Sequence, residues 1–263
     1  REARPRLPRP LKARFRLSSD PILLDYDGPI AIVTNNRPEK HNAANDAMDR
    51  RFFEVLAELH RREGLRAVVW RGEGASFSSG RDTTELGVRT EDLSGFEFIE
   101  RGHRGTLQLL TLPAPILAVL RGWVIGGSFE RALLCDLRIA GEGAKMMLPE
   151  VRHGVVPDSA GTARLFQMAG HGLVADLVLT GRPMDAQEAL RHGVVSRVVP
   201  DAELDKTALE MARQIAAAPP FTVQMFRRTL GRLANPAVTT SLAEEALTQS
   251  MVFASRDYAE LKA

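Results

Sequence analysis

The chain has 263 residues, 44% of them apolar and 26% charged, with a formal net charge of +2, which is the composition of a soluble globular protein with one large core or a core and a smaller appendage. Its single cysteine, Cys135, excludes an internal disulfide and a cysteine zinc cage and fits a reducing compartment. The longest apolar run, residues 116–125, is cut by Arg121 and falls short of the ~18 residues that a membrane span needs.

The first sixteen residues carry seven basic side chains (Arg1, Arg4, Arg6, Arg9, Lys12, Arg14 and Arg16) against Glu2, a net of +6, so the rest of the chain carries −4. Pro5, Pro8 and Pro10 argue against a helix, and residues 1–20 are expected to form a solvated, poorly ordered basic arm. A transit remnant would share this arginine-rich, acid-poor character, but the segment has no serine before Ser18 and no amphipathic period. The expected location is therefore the cytoplasm, or the mitochondrial matrix if the arm is such a remnant. RNA or an anionic surface is the functional reading of the charge run. The body is not basic and has only two Trp and two Tyr for base stacking, so nucleic acid is not expected at the core.

Residues 22–26 and 30–34 flank Asp27-Gly28, a hairpin signal. Asn45 or Asp46 caps a helix whose apolar period runs through Met48, Phe52, Val55, Leu56 and Leu59. A strand at 67–70 follows, then a small-residue turn at Ser78-Ser79-Gly80-Arg81, with Asp82 and Glu85 spaced as a capping box for the next helix, and a helix around 96–110 follows. The order then recurs: strand 116–120, turn Gly126-Gly127, helix 129–134, strand 137–140, turn Pro149-Glu150. Buried strands alternating with helices indicate an α/β layer architecture. From about residue 201 the chain reads as helices over 202–217, 221–233 and 241–253, separated by Pro219-Pro220 and Pro236. The expected organisation is thus an arm at 1–20, an α/β core at 21–200 and a helical region at 201–263.

No dinucleotide-binding glycine fingerprint, Walker loop, HExxH or GxSxG elbow is present, and the six histidines show no metal-ligand spacing, so no metal site is expected. Two turns hold the chemical interest: Phe77-Ser78-Ser79-Gly80-Arg81-Asp82 and Ile125-Gly126-Gly127-Ser128-Phe129-Glu130. Backbone amides at turns entering helices lack intrahelical partners and favour a developing anion, which is what an enolate oxygen requires. Glu130 lies three residues after Gly127 and Glu150 follows Pro149, each placed to move protons. Both glutamates also read as ordinary first-turn helix acids, and Gly126-Gly127 as a plain tight turn; spacing alone leaves both readings open.

Taken together, these segments resemble the enoyl-CoA hydratase/isomerase (crotonase) superfamily over residues 22–257. The family's opening signature resembles the stretch from Asn36 through Lys40, His41 and Ala43, and its two oxyanion turns resemble the two glycine turns above. Leu148-Pro149-Glu150, Gly154-Val155-Val156-Pro157, Gly161-Thr162 and Leu179-Thr180-Gly181 continue the match. The resemblance implies a spiral of ββα units with a helical C-terminal trimerisation region, and a homotrimer or hexamer. It implies an acyl-CoA thioester as partner, with no separate cofactor and no membrane. It places Lys40, His41, Ala43 and Ser79 along coenzyme A, more loosely Arg227 near its phosphates, the amides of Arg81 and Gly127 as oxyanion donors, and Glu130 with Glu150 as the catalytic pair. It implies that residues 87–95 border the acyl pocket.

Having both glutamates favours hydration of a trans-2-enoyl-CoA to a 3-hydroxyacyl-CoA, as in acyl-CoA breakdown. Double-bond isomerisation, or another enolate reaction, is the alternative. A CoA-thioester-binding or RNA-associated protein without catalysis, resting on the basic arm, is the alternative of another class. Two residues depart from the pattern. Arg81 stands where the family mostly has alanine, with its side chain at the acyl channel, on a CoA phosphate or turned to solvent. Asp158 stands where hydratases have glycine, and reads as a helix N-cap or as a third acid at the site. Ser128 and His153 are unusual choices with no role legible in the sequence.

Overall fold

A computed structural model describes residues 19–84 and 93–262. The basic arm falls almost wholly outside the described residues, as do Glu85 and most of the 87–95 segment. Strands β1 (Ile22–Asp27) and β2 (Ile30–Asn35) form the expected hairpin, closing on the Asp27–Ile30 pair with Gly28 at φ 59°. Helix α1 (Asp46–Arg61) starts where Asn45 accepts the Met48 amide at 3.0 Å, and β3 (Ala67–Gly72) follows.

The expected capping box of Asp82 and Glu85 rests on Glu85, outside the described residues; Asp82 accepts the Thr84 hydroxyl at 2.7 Å and pairs with Arg37 and Lys40. Helix α2 (Gly95–Thr111) is capped by Ser94, whose reciprocal partner is Glu97. Then come β4 (Ile116–Leu120), β5 (Trp123–Ile125), α3 (Gly127–Leu133), β6 (Leu137–Gly141) and β7 (Lys145–Met147). After a 3-10 turn at Glu150–His153, helix α4 (Gly161–Thr180) runs with a bend at Gly170, and β8 (Met184–Asp185), α5 (Ala186–Arg191) and β9 (Arg197–Val199) complete the core.

One sheet is ordered β1-β2-β3-β4-β6-β9, parallel except at β1, and a second is ordered β5-β7-β8. Bridges at Ser78–Val124 and Ala44–Arg81 extend the second layer. Each repeat therefore places one strand in the large sheet and a short segment in the second layer before its helix: β3, 78–81, α2; β4, β5, α3; β6, β7, α4. This is the ββα spiral that the resemblance implies. Between the layers Trp70 stacks on Phe52 at 4.6 Å and meets the edge of Phe77 at 4.9 Å, while its Nε1 donates to Asn35 at 2.9 Å.

The C-terminal part is helical from α6 (Leu204–Ala217) through α7 (Pro220–Phe253) and α8 (Arg256–Lys262). Helix α6 packs under the large sheet, where Leu204, Ala208 and Ala212 join Ile30, Val69 and Leu117 in one apolar layer. Pro236 does not divide the last long helix in two, as its ring suggests; α7 runs through it. A proline in a helix interior costs ~3 kcal/mol, and here α4 clamps the turn: Gln167 donates to the Ala234 carbonyl at 2.9 Å and Arg164 to Asn235 at 2.7 Å. Among the described residues no helix is long and apolar enough to cross a membrane.

Gly122 hands the chain from the first layer to the second at φ 50°, and a methyl group added there would lie 2.0 Å from the Ala75 carbonyl oxygen. The left-handed conformation alone disfavours alanine by ~1–2 kcal/mol. Gly122→Ala is accordingly expected to destabilise the fold by on the order of 2 kcal/mol or more, read as a lower urea midpoint at an unchanged slope.

Candidate active site

The first turn is built from two segments. Asn42, fully buried at φ 57°, accepts the Arg37 amide at 2.7 Å and donates to the carbonyls of Glu73 (2.9 Å) and Ser76 (2.7 Å). These bonds offset the left-handed strain at His41 and Asn42. Ser79 then donates its amide to His41, Ala44 to Gly80, and Asp82 to Ala44, at 2.7–2.9 Å. Because Ala44 bonds to the residues on either side of Arg81, the Arg81 N–H points to the other side of the strand. Asp82 is held well below the usual carboxylate range, first by the Thr84 hydroxyl and then by Lys40 and Arg37.

The second turn enters α3. Gly126 adopts φ 61°, ψ −142°, a conformation open to glycine, and a Cβ there would lie 2.9 Å from Glu150 Oε1. Gly127 opens the helix, so its N–H has no intrahelical partner and sits at the positive end of the dipole. Ser128, unexplained by sequence, ties the two turns together: its hydroxyl shares a 2.8 Å hydrogen bond with Ser78, which also donates to the Asn42 carbonyl at 2.8 Å. Among the described residues neither the Arg81 nor the Gly127 amide donates to any acceptor, and both line one cavity of about 340 Å³.

Glu150 and Asp158 line the same cavity, as does Ser79. Glu150 Oε2 is buried without a hydrogen-bond partner, a setting that favours the neutral acid. Burial, followed by the nearby Asp158 charge, raises Glu150 to about 7. Burial, then the charge of Glu245, raises Asp158 to about 7 against the opposing Arg131.

Glu130 is not on the cavity wall. It is fully buried, and its carboxylate accepts the amides of Asp158 (3.2 Å), Ser159 (3.2 Å) and Gly161 (3.0 Å). Burial and the charges of Glu150, Glu245 and Asp158 hold it well above the ordinary glutamate range. Asp158 is not the N-cap of α4 either. That position is Ala160, and the start of the helix is capped from outside by Glu130 and by Glu245 of α7, which accepts the Ala160 amide at 2.8 Å.

The remaining amides of the segment are also taken, Val155 by the Glu150 carbonyl (3.2 Å) and Val156 by Gln249 of α7 (2.9 Å). His103 completes the cradle, with Nε2 2.5 Å from the Asp158 carbonyl, so that nitrogen carries the proton; burial keeps the ring below its usual range. With the backbone held on all sides, the Asp158 side chain is left facing the cavity.

The other expected residues divide. Lys40, His41 and Ala43 sit against Ser79 but do not line the cavity; Lys40 pairs with Asp82 at 3.1 Å and His41 meets Ser76 at 3.0 Å. The Arg81 guanidinium pairs with Asp46 and Asp49 of α1, and Arg131 shares Asp49 at 2.6 Å. The Arg227 guanidinium grips Asp136 at 2.8 Å and the carbonyls of Leu109, Leu110 and Leu112, so it bolts α7 to the end of α2.

Glu245, Gln249 and His103 escaped the sequence reading. The signal available for the first two was a polar residue within the buried stripe of α7 that includes Val238, Leu242 and Ala246. Among the described residues, no group of three or more histidine, cysteine or acidic side chains is arranged to hold a metal ion.

Comparison with known proteins bears on this geometry. The family described as Enoyl-CoA hydratase/isomerase matches residues 25–261. A short-chain-enoyl-CoA hydratase of Clostridium acetobutylicum is 33% identical over 237 residues, 90% of each chain. A carnitinyl-CoA dehydratase of Salmonella arizonae is 36% identical over 205 residues, 78% of each chain. The crystal structure of an enoyl-CoA hydratase/isomerase from Pseudoalteromonas atlantica superposes with a TM-score of 0.84 at 26% identity, covering 92% of this chain and 95% of that one.

The buried acids set a pH dependence of stability. A carboxyl whose folded pKa is raised keeps its proton in the native state after the unfolded chain has lost it. Stability should therefore fall as pH rises from the ordinary value of about 4 to about 7 and level off above it. Urea denaturation at about pH 5 and 8 is expected to give the higher midpoint at the lower pH. In Glu130→Gln the amide nitrogen cannot accept a backbone N–H, so at least one of three bonds becomes a donor–donor contact. The expected loss is on the order of 1–3 kcal/mol, read by the same denaturation.

Proposed function

This chain belongs to the enoyl-CoA hydratase/isomerase family, and we propose that it adds water to a trans-2-enoyl-CoA to give a 3-hydroxyacyl-CoA. The observation that carries this reading is the pair of unpartnered amides, Arg81 and Gly127, opening on the cavity that Glu150 and Asp158 line. A thioester carbonyl placed between the amides becomes the electrophile, and negative charge arriving on its oxygen is met by two preorganised donors. Coenzyme A would then extend past Ser79 toward Lys40, His41 and Ala43.

Water attacks C3 while the Asp158 carboxylate takes one of its protons. The enolate forms with its oxygen on the Arg81 and Gly127 amides, and the neutral Glu150 acid delivers a proton to C2. Exchange between the two acids restores the starting state. Two carboxyl groups titrating near 7 suit the division, since one can be neutral while the other is ionised. Glu130 enters this reading as the anchor of the segment that presents Asp158, in place of the direct role that the resemblance implies for it.

The step draws its electrophile from the thioester and requires no separate cofactor. Assembly into a trimer or hexamer belongs to the same proposal, supported by the exposure of Phe226, Leu233, Leu247 and Met251 along α7. A second reading, isomerisation, is favoured by Asp158 itself. A carboxylate standing where hydratases have glycine can take a proton from C2 of a 3-enoyl-CoA while the neutral Glu150 acid protonates C4, with no water consumed.

Purified protein incubated with crotonyl-CoA is expected to bleach the conjugated enoyl-thioester absorbance and yield a product heavier by one water. Glu150→Gln and Asp158→Asn should each lower kcat ~10²-fold or more. A 3-enoyl-CoA converted to its conjugated isomer without change in mass would establish the second reading. An active Asp158→Asn, with Glu130→Gln inactive but undiminished in stability, would return Glu130 to the reacting pair.

A further inference from the structure

The long C-terminal helix does more than pack against the core. Residue 157 is proline, so the segment 155–161 has six backbone amides, and two of them are held by side chains of α7: Val156 by Gln249 and Ala160 by Glu245. Glu245 is buried, its Oε2 accepting Ala160 N–H at 2.8 Å and its Oε1 the Ser241 hydroxyl at 2.6 Å. Two donated hydrogen bonds favour the ionised carboxylate and oppose the burial that raises its pKa. It lies close enough to Asp158 and Glu130 for its charge to be felt by both.

We propose that Glu245 is a positioning residue for the reaction: it holds the segment that aims Asp158 into the cavity, and it places a negative charge beside Asp158. This rests on the reading of Asp158 as the group that takes the proton from water. The charge matters because Asp158 is faced from several elements: by Glu130 and Arg131 of α3, Asp49 of α1, Arg81 of the first turn, Glu150 of the 3-10 turn and His103 of α2, besides Glu245. Arg131 and Arg81 draw the Asp158 proton off, whereas Glu245 and Asp49 retain it, so Asp158 remains a base strong enough to accept a proton near neutrality. Through Glu245, a helix more than eighty residues away in sequence controls both where Asp158 points and when it ionises.

Glu245→Gln separates these two effects. The amide oxygen can still accept Ala160 N–H and the amide nitrogen can donate to Ser241, so the segment stays held while the charge is removed. The acid limb of the kcat/KM profile for crotonyl-CoA is expected to move to lower pH by about half a unit or more, with a melting temperature at neutral pH no lower than that of the wild type. Glu245→Ala should show the same displacement together with a loss of kcat at little change in KM, because the segment is released as well. A Glu245→Gln profile superimposed on that of the wild type overturns the inference.

A direct titration needs no turnover. In protein labelled with carboxyl-13C aspartate, with the Asp158 signal assigned by its loss in Asp158→Asn, the Asp158 midpoint should fall by about the same half unit in Glu245→Gln. An unmoved midpoint rejects the positioning role. A protein inert toward enoyl-CoA whose Asp158 midpoint does move rejects the hydratase reading and leaves the coupling between Glu245 and Asp158 intact.

Discussion

The structure depends on a short stretch of backbone, residues 155–161, whose amides are held mainly by buried side chains from other elements. Two acids and an amide side chain converge on it, Glu130 from α3, Glu245 and Gln249 from α7, with the Glu150 carbonyl closing the first turn. A helix start ordinarily recruits its cap from the residue just before it. Here that residue is Ala160, with no side-chain oxygen to offer, and the cap is supplied across the fold. The segment can therefore hold its shape only when α3, α4 and α7 are all docked.

That arrangement gathers four carboxyl groups in a region where water is largely excluded, and each is pushed upward by burial before any neighbour is counted. Crowding acids in this way opposes stability near neutral pH, and the same crowding raises two carboxyl groups to titrate there. Arg131, pinned between Asp49 and the acid cluster, limits the repulsion. The chemistry and the cost have one origin, which is why substitutions among these residues are expected to alter pH dependence as much as activity.

The amides of Arg81 and Gly127 obey a different constraint. They come from turns some forty-five residues apart and open on one cavity, so the turns have to be fixed relative to each other. The ββα spiral does this by hydrogen bonding both to neighbouring segments of the second layer. Ser78 and Trp123 pair through the backbone while Ser78 and Ser128 pair through their side chains. Glycine at 122 and 126 allows the close approaches that any side chain would block. The Arg81 side chain leaves its amide free to act by turning away onto the acids of α1.

The sequence by itself determined the alternation of strand, turn and helix, the hairpin at Gly28, the helix start at Asn45 or Asp46 and the two glycine turns, because each is governed by local propensity, periodicity or backbone conformation. Its family likeness extended this to the spiral. Tertiary structure alone decided the rest. It carried α7 through Pro236 because α4 clamps the turn, gave Arg227 to Asp136, and withdrew Glu130 behind the cavity wall to cap a helix to which it does not belong. It also brought Glu245 beside Asp158. A glutamate in an amphipathic helix looks the same whether it faces solvent or a buried amide 85 residues away. Hydrogen-bond partners and burial, which set both roles and proton affinities, are properties of distance in space and are not written in the spacing along the chain.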